Sequence, residues 1–309
     1  MSNLEQVDEK LLSEVSDSLE NTFKGAYNIR KNGKGIERKI TENINIVTKK
    51  DVSGIDIYIK ENTNWEFVHI PVIITQSGLK DVVYNDFYVG KNAKVIIIAG
   101  CGIHNECSSD SEHNGIHRFF LEEGAYVKYY EKHYGEGDGT GKRILNPVTE
   151  VHLKDGATME MDSVQIKGVD STERITKGVL EDNTNFVVTE KIMTHGEQFA
   201  KTNFEVELNG ENASTHVTSR SVATQNSVQE FKSNVIGNAK CFGHVECDAI
   251  LKDSGKVIAI PKIIANSVEA NLIHEAAIGK IAGEQLIKLM TLGLTEKEAE
   301  EQVINGFLK

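Results

Sequence analysis

Four cysteines stand in two pairs, the members of each pair six positions apart, and both pairs lie among histidines and acids. The first stretch reads Cys101-Gly-Ile-His104-Asn-Glu-Cys107, with His113 and His117 shortly after it. The second reads Cys241-Phe-Gly-His244-Val-Glu246-Cys247-Asp248, with His274-Glu275 further on. Thiolate and imidazole are ligands for iron and zinc, so Cys101, His104 and Cys107 are a possible metal or sulfur set. The spacing in neither stretch is that of a zinc finger, and no His-x-His followed by Glu marks a cupin-type centre. In an extended strand, Cys241, Val245 and Cys247 share one face while His244 and Glu246 take the other. One straight strand therefore cannot converge all five ligand-type groups, and a site would have to recruit His274-Glu275 from a later segment or a second copy. The plainer readings are inert buried thiols and histidines satisfied along a polar edge.

No nucleophile elbow and no Gly-Lys-Ser/Thr phosphate loop is present. Gly135-Glu-Gly-Asp-Gly-Thr-Gly141 is glycine-rich but acidic and lacks the Lys-Ser/Thr ending. It reads as a flexible loop, so the chain is expected to bind no nucleotide and not to be an enzyme. A formal charge of −12 opposes non-specific nucleic-acid binding, which needs a basic field, and likewise opposes an anionic membrane surface. No apolar run approaches the roughly 18–20 residues of a membrane span. The acidic, polar Met1–Lys10 is unlike a secretory signal, and four cysteines are too few for a disulfide framework. A cytoplasmic protein is expected.

The elements that would position these residues are mostly strands. Leu4–Phe23 has apolar residues at Leu4, Val7, Leu11, Leu12, Val15, Leu19 and Phe23, the spacing of one amphipathic helix. Short β-rich runs then alternate with Gly, Asn and Asp as far as about Ile264. A turn residue followed by a small one recurs at Asn92-Ala93, Gly124-Ala125, Gly156-Ala157, Asn212-Ala213 and Asn238-Ala239, with Asn183-Thr184 in the longest gap. Near-regular recurrence points to a solenoid whose coils bury their apolar faces only by stacking. A β-sandwich is the competing architecture. Beyond it, Gly283–Leu292 carries a helical apolar pattern stopped by Gly293, and Thr295-Glu-Lys-Glu298 reads as a capping box opening a second helix. The division expected is 1–39 N-terminal helical segment, 40–265 β-helix core, and 266–309 C-terminal helical region. The helical hairpin would cap the solenoid or dock a partner in a groove.

The C-terminal stretch resembles the SufB/SufD family of iron–sulfur cluster assembly proteins. The resemblance is carried by Gly237-Asn-Ala-Lys-Cys241-Phe-Gly-His244-Val-Glu-Cys247-Asp-Ala-Ile250, by Ala259-Ile-Pro261, by Leu272-Ile-His274-Glu275-Ala-Ala-Ile-Gly279-Lys-Ile-Ala-Gly283-Glu-Gln285-Leu, and by Gly293-Leu-Thr-Glu-Lys-Glu-Ala299 leading to Gly306-Phe307. It implies a mainly β fold, a right-handed parallel β-helix with an N-terminal helix and a C-terminal helical hairpin. It also implies a SufC-like ABC ATPase docking through Gln285, Leu286, Leu289, Met290, Leu294, Val303 and Phe307. A transient iron–sulfur cluster would form where two β-helices meet, as a homodimer or with a SufB/SufD paralogue. The matching positions are Cys247 and Glu275, with His274, His244 and Cys241 nearby. The chain lacks the cysteine-bearing N-terminal extension of long SufB proteins and resembles a compact branch. The retained Glu246-Cys247-Asp248 favours SufB character over a cluster-free SufD-like subunit. A carbohydrate-active β-helix using carboxylates such as Asp155 and Glu160 is the enzyme alternative, at odds with 6% aromatic residues.

Overall fold

The computed structural model describes residues 5–16 and 23–309. Two ten-stranded sheets share one apolar core, and successive strands alternate between them, so each turn of chain adds one strand to each sheet. The first sheet contains, in stacking order, Asn64–Ile74, Lys94–His104, Tyr126–Glu136, Thr158–Lys167, Asn185–Thr194, Ser214–Ala223, Phe242–Leu251 and Asn271–Gly279. Its neighbours pair in parallel. Parallel pairing one turn apart is a β-solenoid and rules out the sandwich. Antiparallel pairs close the N-terminal end only, as the hairpins Ala26–Lys31 with Lys34–Lys39 and Ile44–Thr48 with Gly54–Ile59.

The corners follow from the turn dipeptides. Asn62, Asn92, Gly124, Gly156, Asn183 and Asn212 all have φ between 54° and 70°, the left-handed region that Gly enters freely and Asn tolerates. Each donates its backbone N–H to a carbonyl in the next coil. The residue after each corner is small and buried: Thr63, Ala93, Ala125, Ala157, Thr184 and Ala213. Asn238 belongs elsewhere, in a side-chain ladder with Asn209 (2.6 Å) and Asn266 (2.7 Å).

The strands run from Ala26 to Gly279, so both expected boundaries fall inside the β region. The segment 1–39 holds a helix and then a hairpin whose Lys34–Lys39 strand is a charged, exposed edge, which hides the alternation that marks a strand. Asn271–Gly279 is likewise a strand inside the stretch read as helical; no further coil covers it, so of its inward positions Leu272 and His274 are half-buried and Ala276 and Ile278 exposed. Within the described residues the N-terminal helix spans Gln6–Ser16. Leu4 and Leu19 lie outside the described residues. Leu11, Leu12 and Val15 bury against the first sheet, at about 1.5–3 kcal/mol per side chain as an upper bound. The contact is close: a Cβ on Gly100 would lie 2.1 Å from the Val15 carbonyl oxygen.

Helix Glu296–Phe307 opens with the capping box, Thr295 accepting from the Glu298 N–H while the Glu298 carboxylate accepts from Thr295. It lies on the outside of the solenoid, where Ile304, Phe307 and Leu308 pack with Val222, Met193 and Ile250. Helix Gly283–Thr291 buries no residue.

Candidate functional site

Cys247 sits mid-strand in Phe242–Leu251, facing inward and fully buried. In register it lies between Ser219 on one side and Ala276 on the other. Tracing the same row through the first sheet gives Glu131, Ser163, Glu190, Ser219 and Cys247. This is an unbroken inward column of polar groups running alongside the apolar core. Ser219 donates to Glu190 at 3.1 Å, and Thr202 donates to the same carboxylate at 2.8 Å. Arg174 reaches across from the second sheet, pairing with Glu131 and standing 3.3 Å from Glu190. One buried cation thus serves two buried carboxylates, which is the arrangement that makes such charges tolerable in a low dielectric. Burial, opposed by Arg174, leaves the Glu190 carboxyl above its ordinary range. Burial first, and then the charges of Glu190 and Asp248, push the Cys247 thiol up to about 12. A thiol in that state is neutral and inert; it ligates once exposed and deprotonated.

Only one strand, Asn271–Gly279, separates Cys247 from the end of the solenoid. Its inward positions Leu272, His274, Ala276 and Ile278 lie over Gly243, Val245, Cys247 and Ala249. Both ring nitrogens of His274 lack a hydrogen-bond partner, and burial, then the nearby His244, lowers its pKa. Cys247 and His274 are therefore the two ligand-type groups in the middle of the interior strands at this end.

The remaining sequence candidates separate from that pair. Cys241 takes the small-residue corner position, continuing the column from Thr63 to Ala213. Six residues of extended chain put it about 20 Å from Cys247, so the two thiols cannot share a ligand in one chain. His244 and Glu275 face outward, across the sheet from Cys247. Their contact is Nε2 to Oε2 at 3.5 Å, and His216 stands against His244 with ring centroids 4.8 Å apart. His216 was not among the sequence candidates. Its register with His244 shows only when coils are aligned, and so does the column through Glu131, Ser163, Glu190 and Ser219.

The first cysteine stretch also divides. Cys101 is buried and, with His113, His117, Glu131 and His133, lines a cavity of about 20 Å³. Each of these partners is engaged: His113 with Asp81 (3.1 Å), His117 with Tyr129 (2.7 Å) and His133 with Arg174 (3.2 Å). His104 points the other way, toward Glu106 (2.9 Å) and Glu136 (3.3 Å), and Cys107 is exposed. Among the described residues, no three or more such groups are already arranged as a metal centre.

Of the helical positions, Phe307 is turned to its own solenoid, where Arg220 lies 5.9 Å from its ring centroid. Gln285 and Met290 are exposed, and Leu286, Leu289, Leu294 and Val303 half-exposed. Ile287 and Leu292, absent from the sequence candidates, are exposed beside them.

Fold and site define a class: a parallel β-solenoid closed by hairpins at one end, with a thiol and an unpartnered imidazole just beneath the other. Residues 85–307 match the SUF system FeS cluster assembly SufBD core domain, and the chain belongs to that family. It is 27% identical over 255 residues to an iron–sulfur cluster assembly SufBD family protein of Methanocaldococcus jannaschii, covering 82% of this chain and 79% of that protein. A SufBD family protein of Archaeoglobus fulgidus is 26% identical over 264 residues, 84% of this chain and 70% of its own length. For one from Methanothermobacter thermautotrophicus the figures are 26% over 240 residues, 77% and 57%. Membership associates the chain with iron–sulfur cluster assembly. No helix among the described residues is long and apolar enough to cross a membrane.

Proposed function

We propose that this chain is a scaffold on which an iron–sulfur cluster, as cargo, is assembled at Cys247 between two copies paired through their open solenoid ends. The observation that carries the reading is the position of Cys247 one strand beneath an end whose last strand leaves Ala276 and Ile278 exposed and His274 half-buried. Two such ends abutting would enclose two copies of Cys247 and His274. A thiolate–imidazole set holds a cluster less firmly than four thiolates do, as a site that must release its cargo requires. Glu275, on the outer face, is not part of this set.

Loading needs Cys247 uncovered. The strand over it ends at Gly279, and helix Gly283–Thr291 follows after three residues. An ABC-type, SufC-like ATPase gripping the exposed Ile287, Met290 and Leu292 would pull on that strand directly, and ATP-driven motion would open the end to iron and sulfide. On this reading the chain binds no nucleotide, is not itself an enzyme, and works in the cytoplasm. A SufB/SufD paralogue in place of the second copy is the variant reading. A cluster-free SufD-like role is disfavoured by the presence of Cys247.

Anaerobic reconstitution with ferrous iron and sulfide tests the proposal. Wild-type chain should hold cluster, Cys247→Ala should lose at least tenfold in cluster content, and Cys107→Ala should match wild type. Undiminished cluster in Cys247→Ala would sink the idea.

A further inference from the structure

The outward face of the same sheet carries a second set of ligand-type groups, separated from Cys247 by the sheet itself. His216 and His244 occupy one row on adjacent strands, Ser214–Ala223 and Phe242–Leu251. Glu275 lies on the final strand, in register with Glu246, the next outward position after His244. The imidazoles meet edge to face at 66° with centroids 4.8 Å apart. His244 Nε2 has no hydrogen-bond partner and lies 3.5 Å from Glu275 Oε2. That separation is too long for a good hydrogen bond. It matches two donor atoms bound to one ion: at about 2.1 Å from the metal and a tetrahedral angle, ligands stand about 3.4 Å apart. The Glu275 side chain is 65% exposed and that of His244 19% exposed; His244 Nε2 itself is covered, so an ion arriving from solvent reaches it by displacing the exposed Glu275 carboxylate, without opening the solenoid.

We propose that His216, His244 and Glu275 form an outer-face site for a divalent transition-metal ion, with waters completing its shell. Two imidazoles and one carboxylate are the donor set suited to ferrous iron and, with fewer waters, to zinc or cobalt. The third ligand, His216, closes on the ion by side-chain rotation, which its half-exposed position permits. That the physiological ion is iron awaiting incorporation rests on the scaffold reading above; the binding of a divalent ion by these three residues does not.

The test is anaerobic titration of the full chain with cobalt(II) and with ferrous iron, by calorimetry and by visible absorption. Wild type should bind one ion per chain, and cobalt should give ligand-field bands of nitrogen and oxygen ligation without a thiolate charge-transfer band. His216→Gln, His244→Gln and Glu275→Gln should each weaken binding at least tenfold while keeping the wild-type thermal melt, and Cys247→Ala should bind like wild type. Binding unchanged in the His216→Gln/His244→Gln double variant, or a thiolate band abolished by Cys247→Ala, would overturn the site. Because Cys247→Ala should lower cluster content but not this binding, failure of either proposal is read separately.

Discussion

Arg174 holds the interior together as a charged structure rather than an apolar one. It is fully buried between Glu131 and Glu190, and around it His117 and His133 are buried and held neutral. Burial is the first cause in both, and each is lowered to about 4. In the unfolded chain these imidazoles titrate near 6.5. Protonation therefore favours unfolding: the stability they carry is whole above about pH 6.5 and is lost as pH falls toward 4. Glu131 extends the loss lower, since Arg174 and the neighbouring histidines outweigh its burial and hold it at about 2. Glu190 runs the opposite way, its raised carboxyl favouring the folded state at low pH. Urea midpoints should fall steeply between pH 6.5 and 4.5, with His133→Gln flattening the slope; a flat wild-type profile would contradict this assignment. From the sequence, His117 reads as one of several histidines along a polar edge, and Glu131, His133, Arg174 and Glu190 do not stand out. The residue types were visible, but their column was not, because it exists only once coils are aligned turn by turn.

At the scale of elements, the corners were the legible part. Asn or Gly followed by a small residue marks a left-handed turn and the buried position after it, and four of the five dipeptides, together with Asn183-Thr184, are such corners. Asn238-Ala239 was grouped with them by composition although Asn238 keeps an ordinary backbone and serves a side-chain ladder. Cys241 was singled out as chemistry by its type, whereas its place in the column after Ala213 gives it a packing role. If the corner conformation is the constraint, Asn183→Gly should be near neutral and Asn183→Val should cost about 1–2 kcal/mol, read from urea midpoints. Equal stability of the two variants would show that the corner does not depend on a left-handed residue. The edge strands at both ends were the illegible part. Lys34–Lys39 and Asn271–Gly279 lack a second covering layer, so neither shows the alternation by which a strand declares itself.

The two ends of the whole molecule differ in a way that bears on assembly. Antiparallel hairpins and charged residues blunt the N-terminal end, the usual protection of a sheet edge. The C-terminal end is left bare: Lys256–Ala265 and Asn271–Gly279 are both edge strands, and the inward-facing Ile263 and Ile278 are 42% and 40% exposed. An uncovered apolar edge of this kind invites pairing with another chain. Ile263→Asp/Ile278→Lys should therefore shift the sedimentation mass from dimer to monomer, while an exclusively monomeric wild type would remove the basis for pairing through this end.

The most direct test of the account is native mass spectrometry of the anaerobically reconstituted protein, reading chain number and cluster number together. The scaffold reading predicts cluster on the two-chain species, one per pair, and none on the Ile263→Asp/Ile278→Lys monomer. A full cluster on that monomer, or on a dimer of Cys247→Ala chains, would contradict it.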